Sequence, residues 1–196
     1  MSQNSGEIRN AFITWSIANI LGLSIPPLIM LLVPSLTAIS GLLGTTLLIS
    51  MPLSIAQWAA LRRTLPVSIL WIFSIPASII VLVLIVREMP ESYWGYIDPE
   101  SLAALIAISF VIGLMIGLPQ WLILRRECAG SSTWLLGSAL GVGFGAGIVI
   151  ATELVNISGI LAYTIAVLIY VIATGITLSW LLVHKEQPGE PVINTV

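Results

Sequence analysis

No charged side chain lies between Arg9 and Arg62, none between Glu100 and Arg125, and none between Glu127 and Glu153. This absence of charge constrains the fold more than any motif does. A soluble domain carries about 25% charged residues, because its surface must be solvated. Here 58% of the residues are hydrophobic and 8% are charged. So few charges cannot cover a globular surface in water, and the composition calls for a bilayer as solvent.

A helix needs about 20 apolar residues to cross the hydrocarbon core. Six runs meet that length, at 11–32, 41–61, 66–86, 101–124, 134–152 and 159–183. The expected fold is therefore all-α, an integral membrane bundle of six transmembrane helices in one domain over 1–186. VPSLTAIS reads as the turn between the first two spans, and HKEQPGEPVINTV ends in a polar tail, 187–196, expected to be disordered. The first apolar run is longer than a signal-peptide core and reads as a retained span. If the six spans alternate, Arg9, Arg62, Arg63, Arg125, Arg126 and Lys185 share one side, and Arg87 alone among the basic residues lies on the other. Basic residues near span ends stay cytoplasmic, which places a multi-pass protein in the inner (plasma) membrane with both termini inside.

One polar signal recurs. QWAALRR at Gln57–Arg63 returns as QWLILRR at Gln120–Arg126, and SWLLVHK follows with Trp180, His184 and Lys185. Each ends an even-numbered span. The odd spans carry Trp15, Trp71 and Trp134, each followed three and seven residues on by small residues: Ala18 and Gly22, Ser74 and Ser78, Gly137 and Gly141. Two independent registers repeating together predict three helical hairpins, over 9–64, 65–127 and 128–186.

The repeated signal has two readings. Trp prefers the headgroup level, and Arg and Lys reach the anionic leaflet there, so Trp58, Arg62, Arg63, Trp121, Arg125, Arg126, Trp180, His184 and Lys185 act as interface anchors. Alternatively, the same residues form a specific site for an anionic lipid headgroup or a membrane partner. In either case a cation four residues after each Trp shares its helix face and lies within reach of the indole. Gln57 and Gln120 are expected to tie neighbouring hairpins by interhelical hydrogen bonds, with Asn19 a further polar candidate. Gly137, Gly141 and Gly145 form a tandem GxxxG, with Gly143 and Gly147 on a second face, which makes the fifth span the expected centre of close packing. Tyr93, Trp94 and Tyr96, beside the acids of REMPESYWGYIDPE, read as an outer interfacial loop that contacts membrane or partner.

The Gln57–Arg63 and Gln120–Arg126 repeats, with Trp71 and Trp134 after them, resemble a family of uncharacterised bacterial polytopic membrane proteins that carry repeated QWLxLRR-type hairpins. The third copy departs at Ser179, His184 and Lys185. The resemblance implies a polytopic helical fold and no activity.

Other function classes lack their residues. One cysteine, Cys128, and one histidine, His184, leave no set of metal ligands, and no cofactor is expected. HExxH, GxSxG and P-loop motifs are missing, so the chain is not expected to be an enzyme. A net charge of −2 offers no basic field for nucleic acid. Two functions remain open. One is a non-catalytic accessory or assembly subunit, within a larger membrane complex or a homo-oligomer, that binds a partner or anionic lipid at the Trp/Arg rim. The other is a small transporter or channel for a neutral or lipidic solute. The lack of ionisable groups at mid-span favours the first for ionic substrates.

Overall fold

A computed structural model describes residues 4–32, 35–88, 90, 102–128, 130–154 and 158–184. Among them are six helices and no strand: α1 (Asn4–Leu32), α2 (Ser35–Leu61), α3 (Trp71–Glu88), α4 (Leu102–Leu124), α5 (Thr133–Leu154) and α6 (Gly159–Val183). Two are long and apolar enough to cross a membrane, over Ala103–Leu124 and Gly159–Val183, while the apolar stretches Trp71–Ile85 and Thr133–Val149 are shorter. Tyr93, Trp94, Tyr96, Lys185 and the tail at 187–196 lie outside the described residues.

Three helix starts differ from the apolar pattern. α1 begins at Asn4, ahead of the apolar run; Glu7 and Arg9 are good helix formers, and Glu7 in its first turn suits the helix dipole. α2 begins at Ser35, so most of VPSLTAIS is helix rather than turn. α3 begins at Trp71 instead of 66. Pro66 lacks an N–H, Val67 N–H bonds back to Leu65 O at 2.8 Å, and Leu70 N–H bonds the Ser68 side chain at 3.2 Å, a local bond that competes with helix.

The helices form a closed ring. Each packs on its neighbours in sequence, and α6 returns to α1. The starts of the odd helices and the ends of the even helices gather at one end, with Arg62, Arg63, Arg125 and Arg126. The buried apolar core lies there too, built on Trp15, Leu61, Leu65, Trp71, Leu124, Trp134 and Leu181, with Cys128 packed among them. The turns after α2 and α4 make the same backbone bonds 63 positions apart. Arg62 and Arg125 bond back to Trp58 and Trp121, Leu65 and Cys128 to Leu61 and Leu124, and Trp71 and Trp134 to Ser68 and Ser131. In the second turn Gly130 takes a positive φ of 70° and lies under the Trp180 ring.

α5 packs tightly on both sides. Toward α6, Gly141 faces the Tyr170 ring and Gly145 faces Ala166; toward α4, Gly143 faces the Phe110 ring and Gly147 faces Ile106. A Cβ on Gly143 would sit 2.6 Å from Phe110, too close for any real contact. Prolines loosen the helices, and neighbours repair them. Pro119 has no N–H for the carbonyl of Met115, and Ser78 Oγ reaches that oxygen at 3.0 Å from α3. Pro27 leaves Leu23 O in the same state, and Tyr163 Oη donates to it at 2.7 Å from α6.

Candidate functional site: a polar belt beneath an axial cavity

Trp15, Trp71 and Trp134 are fully buried at the ring's axis. Their rings meet edge to face, with centroids 5.4 Å apart for Trp15 and Trp134 and 5.7 Å for Trp71 and Trp134. Each indole N–H is only a donor, and its burial demands an acceptor. Trp71 donates to Gln57 Oε1 at 3.3 Å, Trp134 to Gln120 Oε1 at 2.9 Å, and Trp15 to Thr174 Oγ1 at 3.0 Å.

Those acceptors fix the rest. With Gln57 Oε1 turned to Trp71, it also accepts from Gln120 Nε2 at 3.2 Å. Gln57 Nε2 then donates to Asn19 Oδ1 at 2.8 Å and to Tyr170 Oη at 3.2 Å. Asn19 Nδ2 donates to Trp15 O at 2.8 Å, and Thr174 Oγ1 donates to Tyr170 O at 2.8 Å. The result is a continuous belt with a side chain from every helix, and Gln57, Gln120, Asn19 and Thr174 are all fully buried. Ser74 and Ser78 are buried on α3 beside it, Gly22 is pressed against the Leu53 backbone, and Ala18 packs on the core.

The rim lies outside the belt. Arg62 Cζ sits 4.6 Å from the Trp58 ring centroid and Arg125 Cζ 5.2 Å from that of Trp121. His184 stacks on Trp180 at 4.1 Å and donates from Nδ1 to Trp180 O at 2.8 Å. Arg62, Arg63, Arg125, Arg126 and His184 are exposed. An exposed cation over an indole contributes about 0.5–1 kcal/mol.

Next to the belt, away from the rim, lies a cavity of about 310 Å³ lined by all six helices. Its walls are mainly aliphatic, with Leu53, Ile75, Ile79, Ile116, Val142 and Val167 beside Ser50, Tyr163 and Tyr170, and among the described residues no acid or base faces it. Gly141 and Gly145 give it room on the α5 side. Tyr170 and Thr174 carry no motif in the sequence. They lie on α6, where the residue before Trp180 is Ser179, and among the described residues Ser179 Oγ bonds its own helix at Gly175 O, 2.9 Å. No family model matches the chain, and neither a curated protein nor a solved structure matches it.

Proposed function

We propose that the chain is a six-span integral membrane protein of three repeated hairpins, with both ends at the cytoplasmic face of the inner membrane. It acts without catalysis and holds anionic lipid headgroups at its Trp–Arg rim. The observation that carries this reading is the reversed polarity of the ring. Its interior holds a polar belt, with Gln57, Gln120, Asn19 and Thr174 buried, while every helix turns large apolar side chains outward, such as Ile17, Ile55, Phe73, Leu118, Phe144 and Ile172. In water that arrangement is costly on both counts; in lipid it satisfies the polar groups and solvates the apolar ones. The matching turns after α2 and α4 support the repeat. The arginines gathered at one end support the orientation, since cations near span ends remain cytoplasmic.

Two measurements test this. A reporter fused to the C-terminus should be active only inside the cell, and external activity would remove the topology. For the rim, native mass spectrometry from membranes rich in phosphatidylglycerol should show retained anionic lipid. A cation beside an anionic surface contributes about 1 kcal/mol. Changing Arg62, Arg63, Arg125 and Arg126 to Ala should therefore lower retention roughly tenfold or more. Unchanged retention would refute the rim site, and a retained protein in place of lipid would make the rim a subunit interface. A second reading, a transporter for a neutral or lipidic solute, is favoured by the axial cavity, whose walls offer nothing to an ion.

A further inference from the structure

The six helices are not held equally. Between α1 and α2, Gly22 presses on the Leu53 backbone, and between α5 and α6, Gly141 lies against Tyr170, so a glycine brings each of these pairs close. α3 has no glycine. Ser74, Ser78 and Leu82 stand 63 positions before Gly137, Gly141 and Gly145, the same offset as between Gln57 and Gln120. Among the described residues the seam between α3 and α4 is the thinnest in the ring. Burial divides α3 in the same place. On α5 it runs on to Gly147, whereas on α3 it stops at Ser78, and Leu84, in register with Gly147, is 51% exposed. Pro76 sits at this boundary. It has no N–H for Ile72 O, which gives the helix a place to bend. On the rim side of Pro76, Trp71 and Ser74 are buried and Trp71 is tied to Gln57. On the other side Ser78 Oγ reaches Met115 O at 3.0 Å. Ile75 and Ile79, which flank Pro76, and Ile116, next to Met115, line the axial cavity.

We propose that residues 77–88 of α3 form a lateral gate: this half of the helix turns about Pro76, parts from α4 and opens a path between the axial cavity and the bilayer, with the Ser78–Met115 hydrogen bond as its latch. The energetics suit a gate. Helices in lipid are held by close backbone approach at small residues, and α3 offers none beyond Ser78. Lipid tails solvate Ile79 and Leu82 as well as α4 does, so opening carries no hydrophobic penalty. What it gives up is side-chain packing and the latch, which leaves Met115 O without the donor that Pro119 already denies it. The rim half of α3 stays fixed, because Trp71 belongs to the polar belt. The gate rests on the six-span reading and deepens the transporter reading, since it supplies a route from the membrane to the cavity.

The test uses the full chain in phosphatidylglycerol-containing nanodiscs, with Cys128→Ala as background and pairs of nitroxide labels on exposed positions. Leu84→Cys with Val111→Cys spans the gate. Phe73→Cys with Leu118→Cys spans the same two helices on the rim side of Pro76, and Phe144→Cys with Leu168→Cys spans α5 and α6. Pulsed electron resonance should give two distances for the gate pair and one for each of the others. Ser78→Ala should raise the ratio of long to short distance about three- to fivefold, the worth of one hydrogen bond. Pro76→Ala, which restores an N–H for Ile72 O, should lower it. A single gate distance, unchanged by Ser78→Ala, would overturn the gate. Equal spread in the rim-side pair would overturn the hinge at Pro76, and equal spread in the α5–α6 pair would reduce the motion to general looseness. The same labels report their surroundings. Relaxation by oxygen and not by an aqueous nickel chelate supports the six spans whatever the distances show; relaxation by nickel would remove that reading and the gate with it.

Discussion

Gln57 uses all four of its hydrogen-bonding positions, and Gln120, its counterpart, makes one bond from each end of its amide. The difference predicts unequal consequences. Gln57→Leu strands Trp71 N–H, takes the acceptor from Gln120 and the donor from Asn19 and Tyr170. Gln120→Leu strands Trp134 N–H and removes one of two donors to Gln57. Interhelical hydrogen bonds in membrane proteins average about 0.6 kcal/mol and reach about 2. Gln57→Leu should therefore lower unfolding free energy by about 2–3 kcal/mol and Gln120→Leu by about 1, read by denaturant titration in micelles. Equal losses would mean that the belt is not organised around Gln57. The sequence made both glutamines visible, because polar groups in apolar runs are few. It could not expose Thr174, since a helical Ser or Thr hydroxyl ordinarily bonds its own i−4 carbonyl, as Thr174 also does, nor Tyr170, whose ring reads as one more apolar residue of the run.

Helix ends were readable where an arginine pair marked them, at Leu61 and Leu124, whereas the starts of α1, α2 and α3 were not. Ile69 and Leu70 are apolar, so composition assigns them to a span, yet both are exposed in a turn whose bonds are local. The inner prolines illustrate the same gap. Sequence predicts that Pro119 frees a carbonyl, but only the assembled ring shows which hydroxyl answers it. Ser78 Oγ lies 3.0 Å from Met115 O and 2.9 Å from Ser74 O, with one proton to share between them. A double-mutant cycle isolates the repair. Pro119→Ala restores an N–H for Met115 O. Ser78→Ala should then cost about 1 kcal/mol in the wild-type background and close to nothing in Pro119→Ala. Additive losses in the cycle would show that Ser78 serves its own helix and not α4.

The ring as a whole hides its centre from sequence inspection. The Leu, Ile and Val side chains that line the cavity are of the same kinds as those that face outward, so no pattern separates an inner wall from an outer one. Small residues do separate them, because among the described residues the close approaches of the helix glycines fall inside the ring. Gly22 meets α2, Gly113 and Gly117 meet Ser138 on α5, and the glycines of α5 meet α4 and α6. The outward surfaces carry bulky residues instead, including Leu21, Leu122, Leu136 and Ile176. Helices in lipid associate through small residues that let backbones approach, and a girdle of large aliphatic side chains gains nothing from a like girdle that lipid tails do not already supply. On the proposed six-span reading the chain should therefore be a monomer in mild detergent. Sedimentation equilibrium at several detergent-to-protein ratios should return a single protomer mass throughout. A dimer that survives dilution would require an interface made without the GxxxG faces. If disulfide trapping or crosslinking then placed that interface on α5, the internal use of Gly137, Gly141 and Gly145 would be wrong as well.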